Sequence, residues 1–467
     1  MTLVKEQLPL GFAYKTRSEA ELRDAAAAEN KSLPVHRWVP WIAGFSAQFV
    51  EDAIKAYLPK LHGQRHLVLD PFAGVGTTLV EAVKAGYDTI GYEINPFAAL
   101  AANAKLKCLD ANPDDLGAEV QAFRSALSRF EAEVDRRWLE GGEQGLQELL
   151  ASLRHMRPSS FRSRISFFSP PVEAKFLYAL LRASSLLEPD RTLFRLALGA
   201  TMVTFSNYSY EPSLASRPGS GKPLVDNASV MLPVCRKLAE MLEDIEWVRQ
   251  QYGARWLAQR REVIKGSYFE SSLRGGSVSL VVTSPPYMNN YHYVRNTRPQ
   301  LHWLGLLETG DSLNQYEEQS YGKFWQTVRQ AAPVRLSFDC PEIAAYVEEL
   351  RSMNPERGPY GGPGWANYVA TYLNDTNRFA KMLRKQLRPG GHAVVVIGNS
   401  IIQGVEFPVD RLLALMAERN ELKVEEIRIV RQKRVGNSII DSSVRNGQNS
   451  GHAKKTQLYD AAVILRK

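Results

Sequence analysis

One short stretch of the chain contains residue types that could hold a planar group carrying an amine. Residues 283–287 read Thr-Ser-Pro-Pro-Tyr and follow the apolar run 277–282. Such a run, closed by two prolines, predicts a buried strand that ends on a stiff turn, and ligands bind at the carboxyl ends of strands in open α/β sheets. The turn offers the Ser284 hydroxyl, backbone carbonyls and the Tyr287 ring. This set suits a planar base with an exocyclic amine, and the alternative is a strand followed by a simple turn.

A second stretch could hold an adenosine-type ligand. Residues 70–78 read Asp-Pro-Phe-Ala-Gly-Val-Gly-Thr-Thr and lie between a predicted strand and a predicted helix. Its glycines permit positive φ and close approach of a ligand, and the helix N-terminus supplies unpaired N–H donors. Glu93 ends the next predicted strand, where an acid in dinucleotide-binding folds accepts ribose hydroxyls. Leu79 replaces the third glycine of a dinucleotide motif, which favours a nucleoside without phosphates over NAD or FAD. A tight strand–helix turn without a ligand is the alternative.

Three segments, in this order, resemble a known enzyme family. They are 70–78, 91–96 (Gly-Tyr-Glu-Ile-Asn-Pro) and 283–287, and together they are similar to the DNA amino-methyltransferases that use S-adenosyl-L-methionine. The Ser-Pro-Pro-Tyr form of the last segment is most similar to the cytosine-N4 branch. The resemblance covers roughly residues 40–110 and 260–467. It implies S-adenosylmethionine as the cofactor and double-stranded DNA as the partner.

The resemblance also implies a set of cofactor-binding residues. Phe45 and Ser46 occupy the place of the segment near the methionine end of the cofactor. Ser267 stands where the family often has an acid near the adenine. The residues implied in this way are Phe45, Ser46, Asp70, Phe72, Gly74, Gly76, Thr77, Thr78, Glu93, Asn95, Ser267 and Thr283.

The same resemblance makes the turn Ser284, Pro285, Pro286 and Tyr287 catalytic. The lone pair of an exocyclic base amine is delocalised into the ring, so an enzyme can activate it by accepting both amine protons. The Ser284 hydroxyl and the Pro285 carbonyl are the candidate acceptors, and they would hold the nitrogen in line with the methyl group of the cofactor. Tyr287 would stack on the base for about 1–3 kcal/mol. The base would have to leave the duplex to reach this turn.

Several alternatives stay open at this point. A cytosine-C5 enzyme needs a nucleophilic cysteine, typically in a Pro-Cys pair, and the chain contains no such pair because Cys340 precedes Pro341. Ser284 favours cytosine N4 over adenine N6, for which aspartate is usual, although either group accepts a hydrogen bond. The alternatives are a DNA adenine-N6 methyltransferase, an RNA base methyltransferase, and an inert nucleic-acid-binding protein with the same fold.

Two polar segments are candidates for contact with nucleic acid. Downstream of the turn, Arg295 and Arg298 lie among aromatic and amide residues and are predicted polar contacts. This segment is predicted to form a wall of the base pocket, and the alternative is a loop that packs Tyr291, Tyr293 and Trp303 into the core. The loop 432–458 is predicted to contact phosphates, and a solvated loop is its alternative. The candidates in this loop are Lys433, Arg434, Arg445, Lys454 and Lys455.

Apolar runs and helical patterns around these motifs predict an α/β fold. Alternating strand and helix patterns between residues 67 and 107 favour a parallel sheet. The last two strands leave too little room for a helical crossover, so we expect them to be antiparallel. The expected fold is a seven-stranded Rossmann-like methyltransferase sheet, mostly parallel with an antiparallel last strand, and with a helical insert. The predicted strands are 67–70, 88–93, 262–266, 277–284, 392–397, 424–430 and 459–465.

The distribution of predicted strands and helices divides the chain into three parts. Residues 1–110 are expected to form an N-terminal arm and the cofactor-binding half of the core. Residues 111–258 show amphipathic helical patterns and little strand pattern, and they are a candidate target-recognition region. Residues 259–467 are expected to form the catalytic half, with a second insert at 288–365.

Composition supports an ordinary globular protein with a polyanionic partner. The chain has 467 residues, a formal net charge of +8 and a pI near 9.2, and a basic balance favours nucleic acid. Its three cysteines lie far apart, so neither a metal site nor a disulfide framework is expected. No signal peptide or membrane span is evident, which favours a cytoplasmic protein, and the resemblance implies a prokaryotic, nucleoid-associated one. Any restriction endonuclease would be a separate chain, because no nuclease motif is evident.

Overall fold

The computed structural model describes most of the chain. In the described part, no helix combines the length and the apolar character that crossing a membrane would require. The described residues are 22–41, 44, 46–58, 65–158, 161, 163–211, 213–288, 293–307, 313–403, 405–432 and 458–467.

A seven-stranded sheet forms the centre of the described fold. Its order is β10-β11-β7-β6-β1-β2-β5, and two further two-stranded sheets pair β3 with β4 and β8 with β9. The strands are β1 (Leu67–Asp70), β2 (Asp88–Glu93), β3 (Tyr208–Glu211), β4 (Ser213–Ser216), β5 (Arg261–Lys265), β6 (Val278–Thr283), β7 (Leu387–Gly398), β8 (Ser400–Ile402), β9 (Val405–Phe407), β10 (Lys423–Gln432) and β11 (Tyr459–Arg466).

Fourteen α-helices accompany these strands in the described ranges. They are α1 (Ala47–Tyr57), α2 (Thr77–Lys84), α3 (Pro96–Leu106), α4 (Pro113–Leu153), α5 (Pro170–Ser184), α6 (Asp190–Thr201), α7 (Met231–Leu257), α8 (Tyr293–Asn296), α9 (Arg298–Trp303), α10 (Leu313–Gln319), α11 (Trp325–Val328), α12 (Pro341–Arg351), α13 (Gly362–Gln386) and α14 (Val409–Arg419).

The direction of the strands confirms the predicted fold class. β5, β2, β1, β6 and β7 pair in parallel, whereas β11 runs antiparallel to both of its neighbours, β10 and β7. All seven predicted strands are present, within a few residues of the predicted bounds except for the longer β7. The insertion of the last strand between β7 and β10 was not predicted, because strand order depends on contacts that a local pattern does not contain.

Alternating side chains divide the sheet residues between two faces, as a strand requires. Val68, Leu280 and Val394 face α1 on one side, and Leu69 and Val281 face α13 and α14 on the other. Both faces are therefore covered. β6 is buried along its whole length, as expected for a central strand of a parallel sheet.

The helices α4 to α7 pack with α2 and α3 in one apolar cluster. Its members include Phe123 of α4, Phe176 of α5, Phe194 of α6 and Ile245 of α7. The predicted helical character of 111–258 agrees with these elements, but the hairpin of β3 and β4 within it was not predicted. Its strands, Tyr208–Glu211 and Ser213–Ser216, are short and mostly half-exposed, so they lack an apolar alternation.

A buried carboxylate on α7 holds the N-terminal arm against the core. Asp244 accepts hydrogen bonds from Val35 N at 2.7 Å, from Trp38 Nε1 at 2.8 Å and from the Arg37 guanidinium at 2.7 Å. The segment that follows leads to Trp41, which lines the cavity described below. Asp244 therefore positions one wall of the candidate site.

Replacement of this carboxylate tests the anchor. We expect Asp244→Ala to lower the free energy of unfolding by about 2–5 kcal/mol, because it leaves buried donors without an acceptor. The matched control is Glu243→Ala, whose side chain is 74% exposed and whose loss should cost less than about 0.5 kcal/mol. Urea unfolding followed by intrinsic fluorescence measures both values. Equal losses in the two variants would contradict the anchoring role.

Candidate active site at the carboxyl edge of the sheet

The glycine turn after β1 adopts a conformation that its two glycines allow. Gly74 and Gly76 have φ of +50° and +86°, values that side chains disfavour. A Cβ on Gly76 would also lie 3.0 Å from the Ala102 Cβ on α3. These glycines therefore let the turn pack closely on α3, with α2 starting at Thr77 directly after the second of them.

Glu93 links this turn to the end of β2. One carboxylate oxygen accepts a hydrogen bond from Gly74 N at 2.8 Å, and the other accepts one from Asn95 N at 2.7 Å. Burial raises the pKa of Glu93 to about 7 despite these hydrogen bonds. Asn95 in turn caps α3 by accepting from Phe97 N at 3.0 Å. The carboxylate is thus fixed beside the glycine turn, with remaining lone pairs for a hydroxyl ligand.

Asp70 connects the first motif to the strand that carries the Ser-Pro-Pro-Tyr turn. Its Oδ1 accepts a hydrogen bond from Thr283 Oγ1 at 2.6 Å and another from Phe72 N at 3.1 Å. Burial raises the pKa of Asp70 to about 6. Thr78 adds a second link, because its hydroxyl donates to Val282 O at 3.1 Å. The ends of β1 and β6 are therefore held at the same edge.

Hydrogen bonds from two other elements fix the Ser-Pro-Pro-Tyr turn. Tyr372 Oη, on α13, donates to Pro286 O at 2.9 Å, and Ser400 Oγ, on β8, donates to Met288 O at 2.7 Å. Burial and the Asp460 charge hold the pKa of Tyr287 well above its usual value, so the hydroxyl keeps its proton.

A single cavity brings the two motifs together. Of the residues predicted from the sequence, its lining contains Phe72, Gly74, Thr77, Glu93, Asn95, Ser267, Ser284 and Pro286. Behind this lining lie four supporting residues, Asp70, Gly76, Thr78 and Thr283. Pro285 is buried as well. Tyr287 is half-buried beside the cavity rather than in its lining.

The cavity also has aromatic walls, of which sequence reasoning missed Trp41, Tyr268 and Tyr321. Trp41 stacks on Tyr293 with ring centroids 6.2 Å apart, and the Phe72 ring meets Tyr321 edge-on at 5.3 Å. Tyr268, next to Ser267, completes this wall. Trp41 and Tyr321 lie in segments without an acid or glycine motif, whereas Phe72 belongs to the predicted glycine turn. The cluster of aromatic residues between positions 38 and 41 was the signal that could have indicated the first of them.

The remaining predicted residues lie apart from the cavity lining or outside the described residues. Ser46 caps α1 and accepts a hydrogen bond from Phe49 N at 3.4 Å. Arg295 forms an ion pair with Glu317 at 2.6 Å, and the Arg298 guanidinium lies 5.2 Å from the centre of the Phe161 ring. Trp303 packs in the core, whereas Tyr293 lines the cavity. Outside the described residues lie Phe45, Lys433, Arg434, Arg445, Lys454 and Lys455.

Comparison with known proteins identifies relatives of this chain. Residues 26–104 match the model of a DNA methylase family. The type II methyltransferase M.BsoBI of Geobacillus stearothermophilus is 23% identical over 432 residues, which cover 88% of this chain and 82% of that protein. M.AvaI of Nostoc sp., also a type II methyltransferase, is 23% identical over 470 residues, covering 94% and 87%. M.MjaII of Methanocaldococcus jannaschii is 33% identical over 87 residues, covering 19% and 16%.

The pH dependence of cofactor binding tests the role of Glu93. Only the ionised carboxylate can accept from both backbone N–H groups and a ribose hydroxyl, and its pKa is about 7. We therefore expect S-adenosylmethionine to bind fully at high pH and about tenfold more weakly one pH unit below that pKa. Isothermal titration calorimetry measures the affinity.

Two variants distinguish the role of Glu93 in cofactor binding from that of Asp70. Glu93→Gln should bind weakly and without this pH step, whereas Asp70→Asn should keep the step, because the Asp70 carboxylate faces Thr283 rather than the cavity. An affinity that does not change with pH in the unaltered protein would exclude Glu93 as a ligand of the cofactor.

The geometry and the comparisons agree on the class of enzyme. The glycine turn and Glu93 both lie within the matched segment, residues 26–104. The cavity that they line also contains Ser284 of the Ser-Pro-Pro-Tyr turn, and the distant relatives extend over most of the chain. Residues 26–104 therefore match the N6/N4 DNA methylase family, and the findings support an S-adenosylmethionine-dependent DNA methyltransferase.

Proposed function

We propose that this protein is a site-specific methyltransferase that modifies the exocyclic N4 of cytosine in DNA. One observation carries the proposal. A single cavity is lined both by the predicted cofactor residues, among them Gly74 and Glu93, and by Ser284 of the catalytic turn. A methyl donor and a base amine can therefore meet in this cavity after the base has left the duplex.

The cofactor site is built from the end of β1 and the end of β2. Glu93 is positioned to accept the ribose hydroxyls, as acids at this place do in related nucleotide-binding folds. Gly74 and the start of α2 offer backbone close to the methionine part, and the aromatic wall around Phe72 suits the adenine. When bound, S-adenosylmethionine supplies an electrophilic methyl group on its sulfonium.

The catalytic turn would activate the amine by accepting its protons. The Ser284 hydroxyl is one acceptor, because it lines the cavity. The Pro286 carbonyl already accepts a hydrogen bond from Tyr372, so the Pro285 carbonyl is the proposed second acceptor. With both protons held, the nitrogen lone pair points along a fixed direction, and positioning of this kind is the main source of rate acceleration. Stacking of the base on the Tyr287 ring stays a prediction.

The assignment to cytosine rests on the serine at position 284. A serine hydroxyl and an aspartate carboxylate can both accept an amine proton, so adenine N6 is the second candidate base. The Ser-Pro-Pro-Tyr form resembles the cytosine-N4 branch and favours the first. The relatives M.BsoBI and M.AvaI are named type II methyltransferases. We infer that this chain has the same role in a restriction–modification system, with the endonuclease on a separate chain.

Recognition of the DNA sequence is assigned to the parts outside the core. The helical segment 111–258 and the segment 288–365 are the proposed target-recognition regions, because they lie between the elements of the methyltransferase sheet. Arg295 and Arg298 are proposed DNA contacts within the second segment. Their present partners, Glu317 and the Phe161 ring, would hold these side chains in place for contact with the duplex.

Identification of the modified base tests the proposal. After incubation with DNA and S-adenosylmethionine, nucleoside mass spectrometry should detect N4-methylcytosine. Ser284→Ala should lower kcat by about 10²-fold or more, because one acceptor for the amine is lost. The matched control is Ser279→Ala, a buried serine on the same strand at the other end from the turn, which should keep kcat within about twofold.

Three results would contradict the assignment. Detection of N6-methyladenine alone would replace cytosine with adenine, and full activity of Ser284→Ala would remove Ser284 from catalysis. Methyl transfer onto RNA but not onto DNA would contradict the class of substrate.

The salt dependence of DNA binding tests the basic loop 432–458. If Lys454 and Lys455 contact phosphates, replacement of both by alanine should weaken binding to all DNA sequences and reduce the slope of log K against log salt by about 1 for each lost contact. Fluorescence anisotropy over a salt series measures this slope. The control is Lys107→Ala, an exposed lysine at the far end of α3, and an unchanged slope in the double variant would contradict phosphate contact.

A further inference from the structure

A second cavity lies beside the candidate active site. Its volume is about 650 Å³, which falls within the range of roughly 300–1,000 Å³ that is usual for small-molecule sites. The N-terminal arm, α3, α7, α9 and the hairpin of β3 and β4 all contribute to its lining. The residues that it shares with the active-site cavity are Trp41, Gly44, Val75, Thr77 and Tyr293. The two cavities are therefore neighbours with a common wall.

Lys105 of α3 brings a buried cation to the lining of this second cavity. The residue is 0% exposed, and its Nζ has no hydrogen-bond partner among the described residues. Other cations of the lining are paired, Lys237 with Glu240 at 2.5 Å and Arg37 with Asp244 at 2.7 Å. Burial of an unpaired ammonium is costly, and it lowers the pKa of Lys105 to about 7. An anionic group in the cavity would offset this cost.

Two further lining residues have acceptor atoms without a donor in the described part of the chain. Gln300 Nε2 donates to Gly199 O at 3.3 Å, and its buried Oε1 has no partner. His36 Nε2 donates to Glu81 Oε1 at 2.8 Å, because a carboxylate can only accept. Burial lowers the pKa of His36, so Nδ1 of the neutral ring is an acceptor, and it too has no partner. Buried polar atoms of this kind call for a ligand or water, here one that carries N–H or O–H donors.

The walls of the second cavity suit a flat ring. The Trp41 and Tyr293 rings lie at 6.2 Å with their planes only 13° apart, and Phe97 and Tyr210 also line the cavity. Aromatic side chains hold nucleic-acid bases by stacking, and lysine binds phosphate as a point charge. A nucleotide combines a flat base, N–H and O–H donors and an anionic group. An α-amino acid has the charge and the donors but no flat ring, and it would fill only a small part of this volume.

We propose that the second cavity is a nucleotide-binding site, in which Lys105 binds the phosphate while His36 and Gln300 accept hydrogen bonds from the base or the sugar. Two sources offer this chemistry, namely a nucleotide of the DNA strand next to the extruded one, or a free nucleotide. Lys31, which is exposed and also lines the cavity, adds a cation on the solvent side. The strand as a source rests on the function proposed above, whereas binding of a free nucleotide does not.

A purely structural role for Lys105 predicts a different result. A lysine that only fills space or binds water would change stability when it is replaced, but it would not distinguish a nucleotide from its nucleoside. Methionine keeps an unbranched chain of similar length and removes the charge. The variant Lys105→Met therefore separates the two roles.

The first experiment measures nucleotide binding by isothermal titration calorimetry. The protein is saturated with S-adenosylhomocysteine, which blocks the cofactor site, and the probes are deoxycytidine monophosphate, deoxyadenosine monophosphate and the two nucleosides. We expect at least one nucleotide to bind about tenfold or more tightly than its nucleoside, and Lys105→Met to remove this difference, because the charge-assisted contact to phosphate is lost. Gln300→Met should weaken nucleotide and nucleoside alike by about threefold or more.

A matched control removes the same charge at another place. Lys55→Met alters an α1 lysine whose side chain is 67% exposed, and it should keep the nucleotide affinity within about twofold. Urea unfolding checks that each variant is folded. If Lys105→Met does not fold, the nucleotide preference of the unaltered protein and the effect of Gln300→Met still test the site.

A second experiment identifies the source of the nucleotide by fluorescence anisotropy with a DNA duplex. If the strand supplies it, Lys105→Met should weaken DNA binding, reduce the slope of log K against log salt by about 1, and free nucleotide should compete with DNA. If the ligand is a free nucleotide, the variant should bind DNA normally, and nucleotide and DNA should bind together. Either result supports the site.

Three results would overturn the proposal. The first is a nucleotide affinity no higher than that of the nucleoside, combined with unchanged DNA binding by Lys105→Met. The second is a Lys105→Met variant that keeps the full preference for the nucleotide. The third is a loss of S-adenosylmethionine affinity of about tenfold or more in that variant, which would assign Lys105 to the cofactor. Failure of the proposed function is seen separately, as an unaltered protein that binds nucleotides but transfers no methyl group.

Discussion

The hydrogen bond from Thr283 Oγ1 to Asp70 Oδ1, 2.6 Å long, joins the two chemically distinct halves of the site. Asp70 ends the strand before the glycine turn, and Thr283 ends the strand before the Ser-Pro-Pro-Tyr turn. β1 and β6 are parallel neighbours in the sheet, so both turns emerge at the same edge. The cavity that both turns line exists because these two strand ends are held together.

Rigidity is the second property on which the chemistry depends. Each motif is fixed through its backbone: Glu93 holds Gly74, and Tyr372 holds Pro286. Such contacts leave little conformational freedom to be lost when the ligands bind. In the proposed reaction they would also fix the amine acceptors before the base arrives, and preorganised groups of this kind stabilise a transition state without reorganisation of the protein.

Much of this arrangement could be predicted from local sequence patterns. The apolar runs predict the seven strands, because strands buried in a parallel sheet are apolar on both faces. The glycine turn, Glu93 and Ser284 were recognisable because their chemistry is tied to short motifs at strand ends. The supporting groups were not, since Tyr372 lies far from Pro286 in sequence and reaches its carbonyl only through the packing of α13. Trp41 and Tyr321 likewise reach the cavity through long-range packing, which no local pattern contains.

The central claim is that one cavity holds both the methyl donor and the extruded base. A structure of the protein with S-adenosylhomocysteine and a DNA duplex containing its target site tests it most directly. The claim predicts the ribose hydroxyls on Glu93 and the amine of a flipped cytosine about 2.7–3.2 Å from Ser284 Oγ. A cofactor bound away from the glycine turn, or a flipped base whose amine points away from Ser284, would contradict it.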